Sequence, residues 1–262
     1  MRIVTTLAAA ALAAVLPAAA QAAQLAALWG DNTISIIDTD ARMVTKTWKV
    51  SGVAGRVVGI DVRPADGMLY GVFADGTVAT IDLASGKATV KSKLEMMLPP
   101  GSWATIDFNP AADRLRLIGS EGTNLRANVD DGKVIKDGAL KYKDGDANAG
   151  KMPKVVAGAY SNSFKGTKET ALYDIDAANG AFVRQAPPND GVLNTLGRIE
   201  GDTSSDSWAF DIWSDGRGGN EGWLLVGGML HKVDIATGKT TPAGKVDGVQ
   251  GQVRDIAILP AM

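Results

Sequence analysis

A short pattern recurs five times along this chain: an apolar residue, an aspartate, a few turn-forming residues and then a β-rich run. Such a pattern is typical of a hairpin, because the aspartate caps the turn and glycine, usually present, adopts the positive φ that the turn requires. The turn aspartates are Asp38, Asp82, Asp130, Asp176 and Asp234. A repeat constrains the fold class more than any other feature, because copies of one unit must build a repeat architecture.

A second element precedes most copies, as in the sequences GIDVRP (residues 59–64) and TIDFNP (residues 105–110), and a third strand lies between the two. Each unit is therefore predicted to form four short strands in about 45 to 55 residues, which is the period of a propeller blade. Beyond residue 22 no stripe of apolar residues has the helical period, so the prediction is an all-β chain.

The two ends of the chain are complementary. Residues 24–38 lack the first element of the unit, and residues 254–260 supply only that element. Joined, they complete one blade and leave no exposed sheet edge. The prediction is a closed β-propeller of five four-stranded blades with ring closure by the N- and C-terminal strands. Six blades, or an open pair of β-sheets packed as a sandwich, are the alternatives.

Residues 1–22 have the features of a signal peptide: Arg2, an apolar run and the small-x-small sequence Ala20-Gln21-Ala22. We expect cleavage after Ala22, an uncleaved anchor being the alternative, and export to a bacterial periplasm or the cell exterior. The remainder, residues 23–262, is predicted to be one propeller domain. It contains no stretch long and apolar enough for a membrane span.

Composition excludes several classes of site. There is no cysteine, which removes disulfides and thiolate metal centres, and the one histidine, His231, cannot build an imidazole metal site alone. A serine triad would have to use His231, which we expect on a strand surface. Lys and Arg number 27 against 29 Asp and Glu, without a basic tract, which argues against nucleic acid.

Three aspartates, Asp61, Asp107 and Asp211, occupy the same position in three first strands, where Ala159 and Ala257 stand in the other two. If these strands line a central channel, the carboxylates could converge and hold a cation such as calcium. This arrangement resembles calcium-dependent propeller lactonases and esterases. Alternatively, each aspartate hydrogen-bonds backbone within its own blade.

A second possible calcium site is a loop with oxygen ligands at alternate positions, Asp144, Asp146 and Asn148. Its glycine comes one place late and Val155 stands where an acidic residue would close the loop, so a polar turn is the alternative.

Polar side chains concentrate in the third and fourth units, where they could form a ligand-binding rim. Ordinary turn chemistry is the alternative explanation. The residues are Asn124, Arg126, Asn128, Asn162, Asn189, Asp190 and Asn194.

The same two units carry ordered motifs, among them NLRANVD (residues 124–130), LYDID (residues 172–176) and PPNDGVLNTLG (residues 187–197). In these motifs the chain resembles the exported bacterial family known as domain of unknown function 4394. The resemblance implies a propeller-like β-repeat protein outside the cytoplasm and implies no chemistry.

Three functional hypotheses follow. The first is a non-enzymatic module that binds a small molecule or a protein, with no certain cofactor. The second is a calcium-dependent hydrolase. The third is a structural, envelope-associated repeat protein.

Overall fold

The computed structural model describes residues 23–199 and 205–260, so the predicted signal peptide lies outside the described residues. The strands are β1 (Gln24–Trp29), β2 (Thr33–Asp38), β3 (Met43–Lys49), β4 (Val57–Val62), β5 (Leu69–Phe73), β6 (Thr77–Ile81), β7 (Ala88–Lys93), β8 (Ala104–Asn109), β9 (Arg114–Gly119), β10 (Asn124–Ala127), β11 (Val134–Lys136), β12 (Lys141–Tyr142), β13 (Val155–Tyr160), β14 (Leu172–Asp176), β15 (Ala181–Gln185), β16 (Val192–Arg198), β17 (Trp208–Ser214), β18 (Asn220–Val226), β19 (Met229–Val233), β20 (Thr240–Lys245) and β21 (Val253–Leu259). A short 3-10 helix covers Pro188–Asp190.

The strands form five sheets arranged as the blades of a propeller, as the repeat predicts. Blade 1 has the order β21-β1-β2-β3, so the last strand of the ring pairs antiparallel with the first and closes it, which confirms the predicted closure. Blade 2 is β4-β5-β6-β7, blade 3 is β8-β9-β10-β11 and blade 5 is β17-β18-β19-β20. Blade 4, β13-β14-β15-β16, gains the two-residue strand β12, which pairs parallel with β16.

Burial decreases from the axis outward. The innermost strands β21, β4, β8, β13 and β17 are almost wholly buried, whereas the outer strands β3, β7 and β20 are largely exposed. Each innermost strand packs on the next one around the ring. Apolar side chains fill the spaces between blades, so the core is distributed around the ring and stabilises it at every junction. Among the described residues, no helix has the length and apolar character to cross a membrane.

The predicted turns form in four of the five copies. In blade 2, for example, the Asp82 carboxylate accepts a hydrogen bond from the Ala84 N–H at 2.8 Å, and Gly86 adopts a φ of +72°. The third copy is predicted two residues too far along the chain: the residue that caps this turn is Asn128, whose side chain accepts from the Asp130 N–H at 3.1 Å. Asp130 is instead paired with Arg63 of blade 2 at 2.8 Å. An asparagine can cap the same turn, so the aspartate pattern alone misplaced it.

Candidate functional site

A cavity of about 650 Å³ lies at one end of the central channel. All five innermost strands begin at this end, and each contributes its first or second residue to the wall. These residues are Val58, Ala104, Val156, Trp208 and Arg254. We call this cavity the channel mouth. Its shape is produced by ring closure, because no single blade could enclose it.

Charge in the channel mouth is unbalanced. Arg56, Lys154 and Arg254 line the cavity, and Asp206 is the one acidic residue in its described lining. The whole chain, by contrast, has a formal net charge of −2. The cavity is therefore a local positive region on a mildly acidic protein, and it favours ligands that carry negative charge.

Arg254 is the most unusual of these cations. Its side chain is buried, the residue being 6% exposed, and its Nε and Nη2 atoms have no hydrogen-bond partner within the described residues. Burial, and then repulsion from Arg56, lower the pKa of Arg254 to about 10, still well above neutrality. The neighbouring Asp255 does not satisfy it, because both Asp255 oxygens accept backbone N–H groups. A buried guanidinium without an acceptor is costly unless a ligand supplies one.

The rest of the wall adds one further free donor and an apolar surface. The buried Nε1 of Trp103 has no acceptor in the part of the chain that the structure describes. The segment from Met97 to Pro100, with the sequence MLPP, lines one side of the cavity. The channel mouth thus combines hydrogen-bond donors with an apolar wall, which is the usual composition of a small-molecule site.

Deeper along the axis, the structure brings together the three aspartates predicted from the repeat. One carboxylate oxygen from each of Asp61, Asp107 and Asp211 lies within 4.8 Å of the other two, and all three residues are buried. Burial raises the pKa of Asp61 and of Asp107 well above the ordinary value, and repulsion among the three adds to this. The pKa of Asp211 is raised by burial to about 6.

These carboxylates also bond to backbone, and the bonds reach beyond their own blades. Asp61 accepts from the Phe108 N–H of blade 3 at 2.6 Å, and Asp211 accepts from the Ile258 N–H of blade 1 at 2.6 Å. Asp107 accepts from the Tyr160 N–H of blade 4 at 2.9 Å. The alternative of bonding within one blade is therefore only partly right. Each aspartate links its blade to the next, which gives the group a structural role whether or not it also holds a cation.

A fourth member of this group, Asp255, was missed in the sequence. Its carboxylate accepts from the Ile60 N–H of blade 2 at 2.9 Å. Asp255 stands two residues before Ala257, the position aligned with the other aspartates, so a comparison at one register position could not find it. Two residues along a strand return to the same face, and that periodicity is the signal that would have revealed it.

The polar residues predicted for a rim do not form one surface. Asn124, Arg126 and Asn189 join a buried network between blades 3 and 4 that is centred on Arg116, with Asp137 as its acid. The others lie elsewhere: Asn128 caps a turn, Asn162 bonds Asn220, Asn194 donates to backbone carbonyls, and Asp190 ends the 3-10 helix.

The predicted calcium loop has its oxygens engaged by protein donors. Asp146 accepts from the Thr195 backbone N–H at 2.7 Å and from the Thr195 hydroxyl at 2.6 Å. The Asn148 oxygen accepts from the Lys151 ammonium at 2.8 Å, and Asp144 is exposed. This geometry is that of a closed polar turn.

His231, expected on a strand surface, is instead buried in β19.

The family model described as "Domain of unknown function (DUF4394)" matches residues 33–257, which is most of the chain. The chain belongs to this family. No curated protein matches its sequence. Family membership agrees with the motifs of units three and four, and the family's description assigns no activity to this DUF4394 protein.

Solved structures share its fold at low sequence identity. A Bacteroides thetaiotaomicron protein of unknown function is 16% identical with a TM-score of 0.55, and the match covers 89% of this chain and 64% of that one. The DUF4394 protein thus spans less than two thirds of that relative. A chain of a nidogen/laminin complex is 13% identical with a TM-score of 0.50, covering 91% of this chain and 98% of that one. At such identities the likeness shows the propeller fold alone.

Proposed function

We propose that this DUF4394 protein is an exported, non-enzymatic module that binds a small molecule in the channel mouth. The observation that carries the proposal is the cavity of about 650 Å³ built from the beginnings of all five innermost strands. Its volume falls within the roughly 300–1,000 Å³ of ordinary ligand pockets. A concave cavity of this kind favours a small-molecule ligand over a protein partner, because protein–protein contact surfaces are usually flatter.

A purely structural role leaves the channel mouth unexplained. A scaffold gains nothing from a buried guanidinium that lacks an acceptor, because such a group costs stability. Binding sites do carry groups of this kind, since their partner arrives with the ligand.

Export is supported by residues 1–22, and N-terminal sequencing of the mature protein should begin at Ala23.

Filling the cavity should abolish binding. Ala74 is exposed and lines the channel mouth, so Ala74→Trp would occupy the space without disturbing the core. We expect the neutral fluorophore N-phenyl-naphthylamine to bind the native protein, and the variant to bind it about tenfold more weakly or worse. Fluorescence titration measures both.

The matched control is Ala111→Trp, at an exposed alanine in the turn that follows β8, at the opposite end of the ring. It should bind the fluorophore as the native protein does. Equal binding by the native protein and Ala74→Trp, or no binding by the native protein, would contradict the proposal.

A calcium-dependent hydrolase is the second candidate, favoured by the convergence of Asp61, Asp107 and Asp211. Their all-oxygen ligand set fits a hard cation, which could polarise a substrate carbonyl. However, Asp61 lies three residues along β4 from Val58 in the cavity wall, about 10 Å of strand, so a substrate must enter the axis to reach it. This depth makes binding the better supported function.

Calorimetric titration with calcium distinguishes the two candidates. If the axis holds calcium, the native protein should release saturable heat and its melting temperature should fall on addition of chelator. Asp211→Asn should lose both effects, and Asp146→Asn in the surface loop should keep them. Absence of heat and of a chelator effect in the native protein would remove the hydrolase candidate.

A further inference from the structure

The ligand class can be deduced from the edge of Arg254 that is left without a partner. A guanidinium presents Nε–H and one Nη–H side by side, and these two donors match the two oxygens of a carboxylate. In Arg254 the atoms without an acceptor are Nε and Nη2, which form this edge. What is missing is therefore an acceptor group that offers two oxygens side by side.

Two other arginines show the same edge filled. The Nε and Nη2 atoms of Arg63 donate to the two oxygens of Asp113 at 2.8 and 2.6 Å. The same atoms of Arg126 donate to the two oxygens of Asp137 at 3.1 and 3.0 Å. In these two arginines a carboxylate fills the edge, and in Arg116 the Tyr160 hydroxyl and the Asn189 amide oxygen accept from the same two atoms. Among the described residues, Arg254 in the channel mouth has no acceptor at this edge.

The remainder of the wall selects the body of the ligand. Met97, Leu98 and the two prolines that follow present carbon to the cavity, and methionine adapts its shape to differing apolar partners. Arg56 and Lys154 add positive charge to the same space. A small inorganic anion would satisfy the charges and leave the apolar wall in contact with water.

We infer that the channel mouth binds an organic acid with an apolar body, whose carboxylate or sulfonate accepts hydrogen bonds from Arg254 and whose body lies against Met97 and Leu98. This inference rests on the proposed function, because it names the ligand class of the same cavity. The anionic group replaces the missing acceptor, and the apolar wall contributes by burial.

A matched pair of probes tests it: anilinonaphthalene sulfonate and N-phenyl-naphthylamine, which share a ring system and differ in the sulfonate. We expect the native protein to bind the sulfonate about tenfold or more tightly than the neutral probe. Arg254→Met should weaken sulfonate binding by about tenfold to a hundredfold and leave neutral binding within about twofold. Arg254→Lys keeps the charge without the paired donors, so its affinity for the sulfonate should lie between those of the native protein and Arg254→Met.

Arg217→Met is the control for loss of charge, because Arg217 is exposed in the loop after β17, away from the channel mouth. This substitution should leave the affinity for both probes unchanged. Equal affinity of the native protein for both probes, with no selective loss in Arg254→Met, would overturn the acid inference and leave the cavity function standing. Binding of neither probe would overturn both. Retained sulfonate binding in Ala74→Trp would place the probe outside the channel mouth and overturn the inference.

Discussion

Replacement of Arg116 by methionine is expected to destabilise the protein by about 3–5 kcal/mol, whereas the same replacement at Arg254 should leave stability unchanged or raise it. Arg116 is 2% exposed and donates to Asp137 at 2.6 Å, to Asn124 at 2.9 Å and to Asn189 at 2.8 Å. Its loss leaves buried acceptors without donors. Removal of Arg254 instead relieves a buried charge whose Nε and Nη2 atoms have no acceptor among the described residues.

Urea unfolding at neutral pH measures both free energies of unfolding. The pair is well matched, since each variant loses one buried guanidinium to the same apolar side chain. A large destabilisation in Arg254→Met would mean that the group is structural, and it would also weaken the case that a ligand supplies the acceptor. Such a difference between two arginines of one chain is what separates a residue retained for binding from one retained for folding.

Asp174→Asn is expected to stabilise the protein at alkaline pH and to flatten its pH profile. Asp174 is fully buried in β14, and neither of its carboxylate oxygens has a hydrogen-bond partner among residues 23–199 and 205–260. Burial raises its pKa from 3.8 to about 8, although Arg116 opposes the shift. Between these two values the folded state holds a proton that the unfolded state releases. Stability therefore declines as pH rises through this window, by up to about 1.4 kcal/mol per pH unit.

The measurement is the free energy of unfolding of both proteins from pH 4 to pH 9. Asp211, with a pKa of about 6, titrates within this range in both proteins, and burial also raises the pKa of Asp61 and of Asp107. The informative quantity is therefore the difference between native and variant. That difference should grow in favour of Asp174→Asn as pH rises, and then level off above about 8. A difference independent of pH would show that Asp174 keeps an ordinary pKa in the folded state.

The architecture could be predicted from the sequence because it depends on local, repeated signals. Turn aspartates and glycines fix each hairpin, and the complementary ends of the chain fix the closure of the ring. Where the turn residue varies, the position of that turn is predicted wrongly, as in the third copy, where Asn128 replaces the aspartate.

The channel mouth could not be predicted from the sequence, because it depends on contacts between residues far apart along the chain. Arg56 and Arg254 meet in the channel mouth only after the ring closes. The asparagines of units three and four stood out in the sequence, but Arg116 binds two of them in the interior. Composition can show that polar residues are concentrated, and only packing decides whether they face solvent or one another.

Arg254 lies on β21, the strand whose pairing with β1 completes blade 1. The guanidinium that distinguishes the channel mouth therefore reaches its place only when β21 pairs with β1. A chain with blades 2 to 5 formed and β21 still unpaired would have the apolar wall of the cavity without its central cation. Tight binding of the ligand by this protein would consequently be limited to folded molecules in which the ring is closed.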